Sequence, residues 1–149
     1  MLKNQLDQDL KAAMLSGNKT LVSTLRGLKS AILYAEVDKK VRDKGLSDDE
    51  IITLFAKEAK KRQESADLFK QGGNSEKAAV ELAEKAMIEK YLPAQMSDEE
   101  LARVVDGCIA ALQISSPQAM GQVIGAVKAK VGANADGARI AFLVKERLS

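Results

Sequence analysis

The chain has 149 residues, 46% of them hydrophobic and 3% aromatic, with no Trp and a formal net charge of +2 at neutral pH. That much apolar side chain excludes global disorder and requires a core that is almost wholly aliphatic. The weak charge excludes bulk attraction to nucleic acid, since 17 basic and 15 acidic residues precede Pro93 and 6 of each follow it; any such binding needs a local patch.

Ala and Leu favour helix, and runs of β-branched and aromatic residues are absent, so the expected fold is all-α. Leu2, Leu6, Leu10, Ala13 and Met14 recur at helical spacing and predict a first helix ending near Gly17 and Asn18. A second helix carries Leu21, Leu25, Leu28, Ile32 and Ala35, and Val22, Leu33 and Val37 add a second apolar edge, so burial on two sides is expected. It frays over 38–43 and stops before Gly45. Ser47 and Glu50 form a capping box that opens a third helix running towards Gln71, with Ile51, Leu54, Phe55, Ala59, Ala66 and Phe69 inward. Glu58 is expected to pair with Arg62 one turn on. Gly72 to Ser75 breaks that helix, and a fourth spans Glu76 to Tyr91 with Ala79, Leu82, Ala83, Ala86 and Met87 inward.

Tyr91 to Leu101 is the sharpest break in the pattern. Pro93 has no N–H and pushes Leu92 out of the helical region. Ser97 and Glu100 read as a second capping box. The expected organisation is an N-terminal helical domain of about four helices, 1–92, followed by a small three-helix domain, 93–149. In the latter, Leu101, Val104, Val105, Cys108, Ile109 and Leu112 line one helix. Ser116 and Pro117 open the next, which buries Met120, Val123, Ile124, Val127 and Val131. After the loop 132–137, with Asp136 as a cap, the last helix carries Ile140, Leu143, Val144 and Leu148.

Little catalytic chemistry is legible. The absence of His removes the commonest neutral-pH general base and histidine metal sites. Cys108 is the only cysteine, so neither an intrachain disulfide nor a thiolate zinc site can form, and its place on an apolar stripe predicts a buried structural thiol. The acidic clusters Asp48–Glu50 and Asp98–Glu100 sit at helix starts, where capping rather than metal binding is expected. No phosphate-binding glycine loop and no nucleophile elbow occur. No cofactor and no metal are expected. The start lacks an apolar leader core, no apolar run approaches the ~20 residues that span a bilayer, and one cysteine suits a reducing compartment, so a cytoplasmic protein without membrane contact is expected.

Gly121 and Gly125, one turn apart, are expected to let a neighbouring helix come close. Lys57, Lys60, Lys61 and Arg62 are flanked by Glu58, Glu64 and Asp67 and read as a solvated, salt-bridged face. Lys128, Lys130, Arg139, Lys145 and Arg147 flank the Asn134 loop. With Gly132 and Gly137 they could present cations and backbone N–H groups to a phosphate, the competing reading being ordinary surface charge.

Taken together, Leu25-Arg26, Ala35-Glu36, the run from Glu58 to Phe69, Tyr91-Leu92-Pro93 with Glu100-Leu101, Met120-Gly121-Gln122-Val123 and Ala135-Asp136-Gly137 with Leu143-Val144-Lys145 resemble the GatB/YqeY family across essentially the whole chain. The resemblance implies a C-terminal part similar to the tail of the tRNA-dependent amidotransferase B subunit, which is understood to contact the tRNA body while a larger domain, with no counterpart here, does the ATP-dependent chemistry. Asn134 stands where family members often carry a basic residue, which weakens a phosphate contact there. On this basis the expected function is a non-catalytic helical module binding tRNA, or a tRNA-processing or aminoacylation protein. Lys128, Lys130, Asn134, Gly137, Arg139 and Lys145 are the candidate contacts. The alternatives are a carbon–nitrogen ligase using glutamine as amide donor, and a protein–protein adaptor acting through the second helix.

Overall fold

The computed structural model describes Met1–Ser149 and is all-helical, as the composition predicts: α1 (Leu2–Ser16), α2 (Lys19–Asp38), α3 (Asp48–Gln71), α4 (Ser75–Glu89), α5 (Asp98–Leu112), α6 (Met120–Val131) and α7 (Gly137–Leu148). It comprises two compact units, Met1–Leu92 and Pro93–Ser149, each with its own apolar core.

In the first unit, local chemistry sets the helix ends. Gly17 takes a left-handed conformation at φ 75°, and its N–H and that of Asn18 return to the carbonyls of Met14 and Ala13. Asn18 then accepts the Leu21 N–H at 3.1 Å and starts α2. Ser47 and Glu50 complete the expected capping box, each side chain accepting the other's backbone N–H at 3.2 Å. The core gathers Leu6, Leu25, Leu28, Ile32, Ile51, Phe55 and Ile88. Phe55 meets Tyr91 edge-on, with centroids 5.8 Å apart and planes at 72°. The Tyr91 hydroxyl donates to Asp9 at 2.5 Å and ties the end of the unit to α1. Burial, and then the Asp9 carboxylate, push the Tyr91 phenol well above its ordinary pKa.

Three expectations need correction here. Of the second apolar edge of α2, Val22 packs partly against the core, but Leu33 and Val37 are 43% and 53% exposed. The reason is that α1, α3 and α4 all pack on the side of α2 that carries Leu25, Leu28 and Ile32, leaving nothing for the C-terminal end of the other edge. The inward face of α4 is also rotated from the expected one, with Ala79, Ala83 and Ala86 exposed and Ala78 and Ile88 buried. Polar contacts with α3 set that phase: Arg62 reaches Glu84 at 3.0 Å and Glu81 at 3.8 Å, and Lys85 donates to Gln63 at 2.8 Å. Arg62 is therefore not the partner of Glu58, whose carboxylate takes Lys61 at 3.4 Å.

In the second unit, α5, α6 and α7 close around Leu101, Val105, Val123, Val127, Ile140 and Val144. Cys108 is a buried free thiol in this core, in the structural role its position predicts. Ser97 accepts the Glu100 N–H at 3.1 Å, but Glu100 makes no return bond, so only half of the expected box forms. Pro117 opens a short 3₁₀ turn, Pro117–Ala119, that leads into α6. Gly121 and Gly125 do not support a close helix approach. A Cβ at either meets nothing within 4 Å, because α6 turns Val123, Val127 and Val131 to the core and the glycines away from it. Replacing either glycine by Ala is expected to raise stability by up to about 1 kcal/mol, through helix propensity and the reduced freedom of the unfolded chain. Thermal unfolding reads this directly, and a lowered midpoint would mean that something packs on that surface.

Candidate nucleic-acid interface

The candidate contacts surround the connection between α6 and α7. Gly132 leaves α6 at φ 55°, a short 3₁₀ turn covers Gly132–Asn134, and Ala135 is extended and buried. Asp136 caps α7 by accepting the Ala138 N–H at 3.2 Å. The segment after Pro93 lies against this loop. The Met96 N–H donates to the Asn134 carbonyl at 2.8 Å, and Gln95 Nε2 donates to the Ala133 carbonyl at 3.1 Å.

Arg139 belongs to the same latch, which its sequence position did not reveal. Its Nη2 donates to the Met96 carbonyl at 2.8 Å and to Asp98 Oδ1 at 2.7 Å. A guanidinium so occupied holds the Pro93–Asp98 segment in place, which gives Arg139 a structural role that its candidacy as a phosphate contact did not include. Asn134 likewise contributes its backbone to the latch, while its side chain is exposed. Arg147 is held by Asp106 at 2.7 Å.

Lys128, Lys130 and Lys145 are different. All three are exposed and pair with no carboxylate. The Lys128 side chain runs across the start of α7, its Nζ 3.6 Å from where a Gly137 Cβ would stand. Gly137 thus leaves room for a cation at the end of α7 where unpaired N–H groups face solvent. Asp136 already places a carboxylate at that terminus, so this is a partly neutralised anion site. Lys130, two residues beyond Lys128, points to roughly the opposite side of α6, and Lys145 lies about 12 Å along α7 from Gly137. The six candidates therefore do not form one pocket. Lys128 and Gly137 come together, Asn134 and Arg139 are drawn into the latch, and Lys130 and Lys145 stand apart as isolated charges.

The acidic clusters are explained by their helix ends. Glu50 serves the Ser47 box and receives Lys39 at 2.8 Å, and hydrogen bonds from Lys39, then from the Ser47 backbone and hydroxyl, pull its pKa down to about 2. One site that sequence reasoning missed is Glu36, 3% exposed on α2. It accepts Lys3 Nζ at 2.8 Å and the Leu46 N–H at 2.9 Å, and Gly45, at φ +79°, leaves space for its carboxylate.

A family model described as "Yqey-like protein" matches residues 3–148. Three curated relatives carry the name "Altered inheritance of mitochondria protein 41, mitochondrial". The protein from Eremothecium gossypii is 36% identical over 103 residues, taking in 68% of this chain and 55% of the relative. That from Kluyveromyces lactis is 34% identical over 103 residues, with 67% and 55% covered. That from Clavispora lusitaniae is 31% identical over 102 residues, with 67% and 58% covered. The chain thus matches little more than half the length of these relatives. Their names overturn the expectation of a cytoplasmic protein. The features behind that expectation could not separate the two compartments, because mitochondrial targeting segments are amphipathic and basic, with no apolar core to look for.

Proposed function

The chain belongs to the YqeY-like protein family, and we propose that it is a non-catalytic helical module that binds tRNA through lysines of the Pro93–Ser149 unit. In this reading 93–149 is a three-helix domain similar to the amidotransferase B-subunit tail, and 1–92 is a separate helical domain. The observation that supports the proposal is the contrast among the cations around α6 and α7: Arg139 and Arg147 are paired with Asp98 and Asp106, while Lys128, Lys130 and Lys145, like Arg103 on α5, remain exposed and unpaired with a carboxylate. Lysines spread over two helices suit a phosphate backbone, which is met as a line of charges and carries no sequence information. They suit a small anionic substrate poorly, since that requires convergent groups.

The test is a mobility shift of bulk tRNA with the full chain and with the triple variant Lys128→Glu, Lys130→Glu, Lys145→Glu. Arg139 is left intact because its loss would disturb the fold. Binding by the parent chain that disappears in the triple variant, at unchanged circular dichroism, is the expected result. Equal binding by both would remove these lysines from the account. The glutamine-dependent ligase reading gains no support from the geometry: Cys108, the only thiol, is sealed in the core.

A further inference from the structure

Residues 93–97 have no helical backbone, and hydrogen bonds to the α6–α7 connection and to α7 hold them in place. Two of the holding groups, the Gln95 amide and the Arg139 guanidinium, are side chains, and the Asp98 carboxylate that completes the Arg139 contact is 83% exposed. Exposed ion pairs hold weakly, so this latch opens at little cost. Arg139 makes both of its contacts through one atom: Nη2 donates to the Met96 carbonyl at 2.8 Å and to Asp98 Oδ1 at 2.7 Å. The choice of atom has a chemical consequence. A guanidinium grips a phosphate with two parallel N–H groups, and it offers two such forks, Nε with Nη2 and Nη1 with Nη2. Nη2 belongs to both forks, and its two N–H groups are the ones given to Met96 and Asp98. While the latch is closed, neither fork of Arg139 is complete.

We propose that Arg139 is a switch: it either fastens the 93–97 segment or grips a phosphate of the RNA backbone with a complete fork, and the second act releases the first. The proposal rests on the tRNA reading above and adds Arg139 to the lysines as a contact made only when the latch is open. Three features permit the exchange. The Arg139 side chain is 32% exposed, so a ligand reaches it from solvent. Asp98 is exposed enough to stay solvated once abandoned, so no buried charge is stranded. A phosphate diester presents two anionic oxygens to a fork, where Asp98 and the Met96 carbonyl take one N–H each. Linkage makes the coupling reciprocal: phosphate binding loosens the latch, and whatever loosens the latch tightens phosphate binding by the same factor. Release adds residues 93–97 to the unrestrained chain that enters the unit from Leu92, up to about 17 Å of extra reach.

Amide hydrogen exchange of the full chain tests this at Met96, whose N–H donates to the Asn134 carbonyl when the latch is closed. Saturating bulk tRNA should speed Met96 exchange by ~5-fold or more, whereas burial beneath a ligand would slow it. Arg139→Lys keeps the charge but has no fork, so tRNA should leave its Met96 exchange unchanged. Asp98→Ala removes a competitor for Nη2 and should bind tRNA ~5-fold more tightly than the parent chain. Glu99→Ala loses the same charge one residue away with the latch intact, so its gain should be smaller. Should Arg139→Lys disturb the circular dichroism, the comparison of Asp98→Ala with Glu99→Ala decides. Bound tRNA with Met96 exchange unchanged or slowed would overturn the switch, and so would equal gains from Asp98→Ala and Glu99→Ala. Either result leaves the tRNA reading standing, while a parent chain that binds no tRNA at low salt removes both.

Discussion

Replacing Phe55 with Ala is expected to lower the stability of the Met1–Leu92 unit by about 3–5 kcal/mol. Phe55 has no solvent exposure and is the largest fully buried side chain of the protein. The one aromatic beside it, Tyr91, is tethered through its hydroxyl to Asp9 and is not free to fill the space. Loss of Phe55 opens a cavity among Ile51, Leu28 and Ile88, helical residues that can collapse only partly. It also removes the edge-on contact with Tyr91, worth about 0.5–1.5 kcal/mol beyond burial. Tyr91 is the residue that fastens the end of α4 to Asp9, so the damage should reach α1. Urea unfolding followed by circular dichroism measures the effect. A loss below about 1 kcal/mol would mean that the site is packed differently from this description.

The second large effect concerns Glu36 and acid. Its Lys3 contact, then the Leu46 N–H bond, hold the carboxyl below the usual value of 4.5 against the opposing cost of burial. Because the folded pKa is the lower one, the folded chain releases the proton more readily than the unfolded chain. The stabilisation is therefore complete above pH 4.5 and is lost as the pH falls through the folded value. Glu50, drawn down to about 2, loses its contribution across the same interval, from 4.5 downward. Replacing Glu36 with Ala leaves the buried Leu46 N–H without its acceptor and Lys3 without its partner. About 2–3 kcal/mol is the expected cost, kept modest because Lys3 is itself half-exposed. Glu36→Gln keeps an oxygen for Leu46 and loses the titration. Urea midpoints compared between neutral and acid pH should fall less for Glu36→Gln than for the parent chain. Identical acid dependence in the two would show that Glu36 does not supply it.

Helix type and most helix ends were legible in the sequence because they are decided locally. Gly17, Ser47 with Glu50, Asn74, Pro93 and Asp136 each act on backbone groups within a few residues. The inward phase of α4 was not legible. Ala is cheap to bury and cheap to expose, so the pattern of Ala78, Ala79, Ala83 and Ala86 carries little contrast, and the ion pairs of Arg62 decide the rotation. The two-sided reading of α2 failed for a related reason: hydrophobicity marks residues that can be buried, and only the arrangement of α1, α3 and α4 determines which edge is covered. At the candidate site, the sequence named the basic residues around the loop before α7 but not which of them are engaged by carboxylates. It could not separate Arg139 from Lys128, because the Asp98 carboxylate and Met96 carbonyl that occupy Arg139 lie 41 and 43 residues away. The same holds for Tyr91 and Asp9, 82 residues apart. The compartment was beyond reach for lack of any physical feature that separates the two candidates.

The most direct measurement of the central claim is the salt dependence of tRNA affinity for the unmodified chain. Contacts from Lys128, Lys130 and Lys145 to the phosphate backbone predict that log K falls linearly with log salt, with a slope of about −2 to −3. Absence of binding at low salt, or an affinity that does not change with salt, would contradict a module that holds tRNA by its backbone.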